Sequence, residues 1–217
     1  MRIGVFGTGM VGEALGTRLV ELGHDVIMGS RTADNAKGAA WATRAGARAS
    51  TGTFADAAAK SELVFNCTSG GASLEVVAQA GAANLEGKIL IDVANPLDYS
   101  KGMPPTLLYT NDDSLGERLQ NALPATKVVK TLNTVNCAVM VDPSRVPEEH
   151  AIFVCGNDDD AKARVRELLV AFGWRDIIDL GGITSARATE GLMPIWLRLY
   201  GLFKTADFNF KLVRKIP

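Results

Sequence analysis

A glycine-rich turn near the start of the chain, Gly7-Thr8-Gly9-Met10-Val11-Gly12, constrains the fold more than any other feature. An apolar run from Ile3 to Phe6 precedes it, with the β-branched content of a buried strand. A helical pattern follows it, with apolar residues on one face, and ends at Gly23. G-x-G-x-x-G between a strand and a helix is typical of folds that bind the pyrophosphate of a dinucleotide. The sequence therefore predicts a nucleotide-binding βαβ unit in this position.

Each glycine of the turn has its own steric role in such a unit. The first allows the tight turn, the second lets a pyrophosphate approach the backbone, and the third lets helix and strand pack closely. The amino end of the helix then offers unpaired N–H groups and a partial positive charge to the phosphates. A glycine-rich turn that binds nothing is the alternative when the motif is taken alone. The candidate cofactor-binding residues here are Gly7, Thr8, Gly9, Met10, Val11 and Gly12.

Strand and helix patterns alternate along the rest of the chain, which predicts an α/β fold with a doubly wound parallel sheet of the Rossmann type. The further predicted strands are 25–28, 47–50, 63–67, 88–93, 127–132, 151–155 and 177–180. The further predicted helices are 34–44, 54–60, 72–80, 114–123 and 157–172, the last capped by Asn157. Residues 95–113 show no periodicity, so we expect a functional loop or lid there, or else disorder. We predict a Rossmann domain over 1–182 and a short helical extension over 183–217.

The end of the second strand, Gly29-Ser30-Arg31-Thr32, predicts which dinucleotide binds. NAD-binding forms of the fold place Asp or Glu here, where it accepts a hydrogen bond from the ribose 2′-hydroxyl. This chain has no carboxylate in the segment. Arg31 can instead grip a 2′-phosphate with charge-assisted hydrogen bonds, and Ser30 can donate one more. The sequence therefore predicts NADP, with a solvated surface arginine as the alternative for Arg31.

Three later loops follow the carboxyl ends of predicted strands, where this fold binds its ligands at the switch point between the first and fourth strands. Their short hydroxyl and amide side chains can hydrogen-bond a ribose or a carboxamide, although the same residue types are common in ordinary turns. The candidate cofactor-binding residues in these loops are Thr68, Ser69, Asn95, Pro96 and Asn133.

The amino-acid composition limits which partners the protein is expected to bind and in which cellular compartment it is expected. A net charge of −1 over 217 residues favours neither nucleic acid nor an anionic membrane surface. We see no apolar run of the ~18 residues that a membrane span needs, and no secretory signal. The three cysteines are scattered, as expected of reduced thiols in the cytoplasm. With two histidines and no metal-ligand spacing, no metal site is predicted.

No residue is predicted as a catalytic acid or base. His24 and His150 lie in polar turns and are expected at the surface. Lys130 lies in a predicted strand and could serve as a general acid, but a lysine at a strand edge or in an ion pair is the favoured alternative. Hydride transfer between two redox cofactors needs mainly alignment and exclusion of water, because the cofactors carry the chemistry. The sequence therefore favours a reaction of that kind.

Four segments together resemble those of the coenzyme F420-dependent NADP oxidoreductases, and the fold is similar to the cytosolic domain of the STEAP metalloreductases. The segments are the glycine-rich turn, Gly29-Ser30-Arg31, Asp92-Val93-Ala94-Asn95-Pro96 and Lys130-Thr131-Leu132-Asn133-Thr134. The resemblance implies a homodimer that transfers hydride between NADP(H) and the deazaflavin F420. It also implies NADP contacts at Thr8, Met10, Val11, Ser30 and Arg31, with nicotinamide-side contacts at Ser69, Asn95 and Asn133.

The C-terminal segment from Ser185 to Phe203 is predicted as an apolar helix interrupted near Pro194. It either packs on the domain of its own subunit or forms a dimer interface, since Trp, Tyr, Met and Phe are enriched at interfaces. Our functional hypothesis is an NADPH-dependent oxidoreductase that passes hydride to F420, a flavin or a similar flat acceptor. Two alternatives stay open: a non-catalytic NADP(H) sensor, and a small ketone or imine reductase that uses Lys130 or a bound water.

Overall fold

The computed structural model describes residues 1–213 and 215. In the first half of the chain, strands and helices alternate as β1 (Arg2–Phe6), α1 (Met10–Glu21), β2 (Asp25–Ser30), α2 (Ala36–Ala45), β3 (Ala49–Thr53), α3 (Phe54–Lys60), β4 (Leu63–Asn66), α4 (Ser73–Ala80), α5 (Ala82–Leu85) and β5 (Ile89–Asp92). The second half contains β6 (Leu97–Asp98), β7 (Thr106–Leu107), α6 (Leu115–Ala122), β8 (Lys127–Thr131), α7 (Cys137–Val141), β9 (Ala151–Gly156), α8 (Asp159–Phe172), β10 (Asp176–Asp179), α9 (Ala186–Gly191) and α10 (Met193–Phe203).

The main sheet has eight strands in the order β10-β9-β8-β5-β4-β1-β2-β3. Six of them are parallel, and the chain reverses its winding between β1 and β4, which confirms the predicted doubly wound Rossmann-type sheet. The expectation of a wholly parallel sheet is wrong for the last two strands, because β9 runs antiparallel to β8 and β10 follows β9. Between β8 and β9 the helix α7 has only five residues, and the chain returns antiparallel instead of through a long crossover helix.

Side chains on the strands alternate between two apolar layers, as the period of two requires. Val5 and Phe65 face a core formed with α1, α2, α7 and α8, whereas their neighbours Phe6 and Val64 face a core formed with α3, α4 and α6. Trp41, the predicted large core residue of α2, is 2% exposed and its Nε1 donates to Thr17 Oγ1 at 3.0 Å. Burial on both faces is what a parallel sheet needs.

Side chains cap the amino ends of α2, α3, α6, α7 and α8. Ser114 Oγ accepts from Glu117 N at 3.1 Å, as the predicted capping pattern requires, and α6 begins one residue later. The predicted cap of α8 is off by one residue, because Asp158 Oδ1 accepts from Ala161 N at 2.8 Å. Asn157 turns away from α8, and its Oδ1 accepts from Ile183 N at 2.9 Å. Asn157 therefore binds the distant segment at Ile183 instead of capping α8.

The stretch 95–113 is ordered around a small antiparallel hairpin of β6 and β7, which no sequence pattern predicted. Leu108 N donates to Pro96 O at 2.7 Å, and the Arg118 guanidinium lies 4.0 Å from the Tyr109 ring centroid. These contacts hold the base of the hairpin against α6. Its outer residues Tyr99 and Met103 are exposed.

The C-terminal segment contains two helices divided as predicted near Pro194, which lies in the first turn of α10. After α10 the chain returns to the sheet, where Ala151 N donates to Phe210 O at 3.1 Å. The predicted surface position of His150 is wrong, because the returning chain and Trp174 bury its ring. Positions 214, 216 and 217 of the predicted extension lie outside the described residues. Within the part of the chain that the structure describes, none of the helices combines the length and apolar character needed to cross a bilayer.

Candidate dinucleotide and acceptor site

The glycine-rich turn has the steric features that its motif predicts. Gly7 has a φ of +108°, a conformation that suits glycine. A Cβ on Gly12 would lie 2.1 Å from Gly7 O, so this position admits glycine alone without movement of the backbone. A Cβ on Gly9 would meet nothing within 4 Å, which means that the fold itself does not need glycine there. Gly9 also precedes α1 and contributes no side-chain cap, so the N–H groups of the first turn are open to a ligand.

A cleft of about 310 Å³ lies beside this turn, and because half of its lining residues have polar side chains we call it the polar cleft. Arg31 borders the cleft, is exposed, and forms no ion pair with any described residue. Ser30 is 6% exposed, and its hydroxyl donates to Thr32 O at 2.5 Å, so it must rotate to donate to a ligand. The lining residues are Gly7, Thr8, Gly9, Ser30, Arg31, Asn35, Phe54, Cys67, Thr68, Ser69, Ala72 and Val76.

A second, larger cleft of about 560 Å³ shares residues 67–69 with the first and lies over the carboxyl ends of β1, β4 and β5. Met10, Val11, Thr68, Ser69 and Asn95 are the sequence-predicted site residues that line it. The others are Cys67, Gly70, Val93, Ala94, Leu97, Tyr99, Val135, Asn136, Cys137, Met140 and Trp196. The two clefts together can hold an elongated ligand with one polar and one apolar end.

Two of the predicted residues, Pro96 and Asn133, are buried behind the wall of the larger cleft. Asn133 Nδ2 donates to Asn95 Oδ1 at 3.0 Å, and Asn95 Nδ2 donates to Asn133 O at 2.7 Å. This reciprocal pair fixes the orientation of the Asn95 amide at the cleft. Asn133 thus contacts the site through Asn95, and its direct role toward a cofactor stays a prediction.

Lys130 is fully buried and its ammonium group is saturated with acceptors. Its Nζ lies 2.7 Å from Asp92 Oδ2, 2.8 Å from Glu190 Oε1 and 2.5 Å from Ala94 O. Burial lowers the pKa of Lys130, but the negative charges of Asp92 and Glu190 outweigh this effect and raise it above the ordinary lysine value. All three protons are engaged, so the paired-lysine interpretation is confirmed and a role as general acid is disfavoured.

The two cysteines of the cleft, Cys67 and Cys137, are unpaired. Burial of the sulfur, with a smaller contribution from the charge of Asp92, raises the pKa of the Cys67 thiol well above its ordinary range. A neutral thiol is a poor nucleophile, so Cys67 serves as a small apolar lining residue. Among residues 1–213 and 215 there is no group of three potential metal ligands.

Sequence reasoning missed the apolar wall of the larger cleft, formed by Leu97, Tyr99, Met140 and Trp196. Trp196 belongs to α10 and stacks on Phe208 with ring centroids 5.2 Å apart. Its aromatic character was visible in the sequence, but its place depends on the path of a chain segment distant from the glycine-rich turn. A non-local contact of this kind has no sequence signal within one chain.

Comparison with known proteins gives consistent matches. Residues 2–96 match the family model described as NADP oxidoreductase coenzyme F420-dependent. The chain is 31% identical over 222 residues to the F420-dependent NADP reductase of Methanocaldococcus jannaschii, with 98% of each chain covered. It is 30% identical over 211 residues to the metalloreductase STEAP3 of Rattus norvegicus. That alignment covers 93% of this chain and 40% of STEAP3. A crystal structure from Arthrobacter sp. FB24, provisionally described as an F420-dependent NADP reductase, has a TM-score of 0.95 at 50% identity and covers 99% of this chain and 100% of that one.

The doubly wound sheet, the glycine-rich turn and these matches define an NADP-dependent oxidoreductase of the Rossmann type. More specifically, the chain belongs to the family of F420-dependent NADP reductases. This confirms the family and the enzyme class that the four motifs predicted.

Proposed function

We propose that this protein transfers hydride between NADP(H) and a flat redox acceptor, either coenzyme F420 or a flavin. The single observation that carries the proposal is the pair of connected clefts, one polar beside Gly9 and Arg31 and one apolar beside Trp196. The two compartments meet at Thr68 and Ser69, at the switch point of the sheet. Two long ligands placed end to end would meet at this junction.

The polar cleft suits the nucleotide half of NADP(H). The first turn of α1 and the space at Gly9 would hold the pyrophosphate, with Thr8, Met10 and Val11 beside it. The free guanidinium of Arg31 would bind the 2′-phosphate, with Ser30 donating after rotation of its hydroxyl. Thr68, Ser69 and Asn95 would then contact the nicotinamide side, with Pro96 and Asn133 supporting Asn95 from behind.

The apolar cleft suits the acceptor. NADPH supplies the hydride when it is bound. Leu97, Met140 and Trp196 would exclude water and hold a flat ring against the nicotinamide position. Leu97, Met140 and Trp196 carry no acidic group, Tyr99 of the same wall is exposed on the hairpin, and Lys130 is fully engaged in the core. The arrangement therefore favours an acceptor that needs alignment rather than acid catalysis.

The C-terminal extension supports a second part of the proposal, a homodimer. Helix α9 packs on α6 of its own domain, where Arg187 Nε donates to Glu117 Oε2 at 2.8 Å. Helix α10 keeps an apolar face with Ile195 at 49%, Leu202 at 71% and Phe203 at 51% exposure. We therefore infer that α9 closes the domain and α10 meets a second copy. Sedimentation of the native protein and of Leu202→Glu tests this, and a monomeric native protein would overturn it.

The three unpaired thiols also fit the proposed cytoplasmic location.

The decisive experiment is a panel of acceptors. Purified protein is incubated with NADPH, and loss of the nicotinamide absorbance is followed with F420, FMN, FAD, ferric chelates and small ketones in parallel wells. Turnover with F420 or a flavin supports the proposal. Turnover with ketones alone would replace it by a carbonyl reductase, and tight NADPH binding without turnover in any well would replace it by a sensor.

A further inference from the structure

A polar row crosses the main sheet directly beneath the larger cleft. Asn66, Asp92 and Lys130 are register neighbours on β4, β5 and β8, and all three are buried. Their strand neighbours Phe65, Ile91 and Val129 face the other core, so the three polar side chains share one face of the sheet. Glu190 of α9 packs on this face and extends the row into the C-terminal extension.

The charged members of the row are fully satisfied. The side chains of Asp92 and Lys130 are 0% exposed and that of Glu190 is 2% exposed. Asp92 Oδ1 accepts from Asn66 Nδ2 at 2.8 Å and from Ala94 N at 3.2 Å. Apolar residues of similar volume would serve a core at least as well as a buried ion cluster. Packing alone therefore does not account for the cluster.

The hydrogen bonds of the cluster lead to both walls of the cleft. Lys130 Nζ binds Ala94 O, the carbonyl directly before Asn95. On the opposite side, Asn66 Oδ1 accepts from Thr68 Oγ1 at 2.6 Å. Asp92 is bonded to both branches, so the loop with Thr68 and the loop with Asn95 are held by one connected set of bonds.

Glu190 ties this set to the C-terminal extension. Its carboxylate accepts from Leu115 N at 2.9 Å and Gly116 N at 3.1 Å, at the amino end of α6, while Oε1 contacts Lys130. The next helix along the chain carries Trp196 into the apolar wall. The same carboxylate thus contacts both the amino end of α6 and the lysine behind the two cleft loops.

We propose that Asp92, Lys130 and Glu190 are positioning residues, which hold Thr68 and Asn95 at the spacing that hydride transfer requires and make this spacing depend on a docked C-terminal extension. The kinetic part rests on the proposed function, whereas the structural part does not need it. The pyrophosphate and 2′-phosphate contacts proposed at Gly9 and Arg31 lie outside the cluster, so the cluster acts on turnover rather than on nucleotide affinity.

The test compares Glu190→Ala with Arg187→Gln. The second variant removes a different bond between α9 and α6, the ion pair with Glu117, and leaves the cluster intact. For Glu190→Ala we expect turnover to fall by about tenfold to a hundredfold, since small misplacements of reacting groups cost that much. We expect the Kd for NADPH to stay within about threefold, because the affinity comes mainly from the phosphate contacts. Arg187→Gln should leave both quantities near the native values.

Amide hydrogen exchange of the ligand-free protein provides a readout that needs no activity. Segments 66–69 and 93–97 should exchange faster in Glu190→Ala and at the native rate in Arg187→Gln. If Glu190→Ala does not fold, Glu190→Gln replaces it, because its amide oxygen keeps an acceptor for Lys130 while the charge is lost. Unchanged turnover and exchange in a folded Glu190 variant would overturn the proposal, as would equal losses in Arg187→Gln. Native protein that binds no NADPH would defeat the proposed function alone, and the exchange data would still decide the role of the cluster.

Discussion

The two clefts of this protein are built in different ways. The nucleotide cleft has its proposed phosphate contacts in two short stretches, the turn around Gly9 and the end of β2, and its other lining residues lie at Asn35, at Phe54 and within 67–76. The acceptor cleft gathers residues from α1, α7, α10, the hairpin and the loops after β4 and β5. Its two loops are aligned by a buried cluster that includes Glu190 from the far end of the chain.

This difference explains why the residues of the nucleotide half could be predicted from the sequence and those of the acceptor half could not. In the nucleotide half, local steric constraints require glycine at fixed positions. A Cβ on Gly12, for example, would lie 2.1 Å from Gly7 O, so the constraint is visible as a glycine motif in the sequence. The acceptor half depends on contacts across the whole domain. Changes at acceptor-cleft residues to which we assign no NADP contact should therefore alter turnover without altering nucleotide affinity, and the predictions below test this separation.

The largest effects are expected from two matched glycine substitutions, Gly12→Ala and Gly70→Ala. The added Cβ would lie 2.1 Å from Gly7 O in the first and 2.2 Å from Asn95 O in the second. Each should lower the free energy of unfolding by about 1–3 kcal/mol or more, since backbone must move. Calorimetry with and without NADPH should show lost nucleotide binding in Gly12→Ala and largely retained binding in Gly70→Ala. Equal losses of NADPH affinity would remove the distinction between the two halves.

Arg31→Ala should weaken NADPH binding by about 1.5–3 kcal/mol, the usual size of hydrogen bonds to a charged group. NADH has no 2′-phosphate, so its affinity should hardly change. Titration of both nucleotides measures the difference, with Arg48→Ala as the control, because Arg48 pairs with Asp25 at the other end of β2. A comparable loss for NADH would show that Arg31 does not recognise the phosphate.

Gly9→Ala should separate folding from binding. The added Cβ meets nothing within 4 Å, so the free energy of unfolding should fall by about 1 kcal/mol or less, the usual difference between Gly and Ala at a helix N-cap. The methyl group would occupy the space proposed for the pyrophosphate, and we expect NADPH affinity to fall about tenfold, or 1.4 kcal/mol. Thermal unfolding and titration of one sample give both numbers. Native affinity in this variant would place the phosphates elsewhere.

Trp196→Leu should have the smallest effect and should be confined to the acceptor half. Loss of the aromatic surface should raise the KM for the acceptor about fivefold, from roughly 1 kcal/mol of stacking, with the Kd for NADPH unchanged. Tyr200→Leu is the control, because Tyr200 stacks on Trp196 but is absent from the cleft wall. Steady-state kinetics with varied acceptor measures the shift. A weaker NADPH complex in Trp196→Leu would argue against separate compartments.

Most of the fold could be predicted because its signals are local. Short apolar runs predicted the other strands of the main sheet, and the strand predicted at 47–50 overlaps β3 by two residues. The Ser114 cap located the start of α6. The direction of β9 could not be predicted, because a strand pattern is the same in either direction. The burial of His150 and the side chain of Asn157 depend on segments more than 20 residues away, Asn209 and Ile183 respectively.

The candidate site divides in the same way. Gly7, Gly9, Gly12 and Arg31 were found from spacing alone, and the structure places them around one cleft or directly beneath it. Trp196 and Glu190 were not found as site residues, since nothing in their neighbouring sequence separates a docked residue from a core residue. The row of Asn66, Asp92 and Lys130 did have a sequence signal. Each is a polar residue within a predicted strand that is otherwise mainly apolar.

The reversed direction of β9 has a consequence for how such a protein can change its substrate. Because β9 starts where β8 ends, the returning residues near Phe210 run along the same rim that holds the ligand loops. Helix α10, which precedes these residues, borders the larger cleft through Trp196, although it is remote in sequence from the glycine-rich turn. Exchanging this C-terminal segment between relatives should change which hydride acceptor is used and leave the affinity for NADP(H) unchanged.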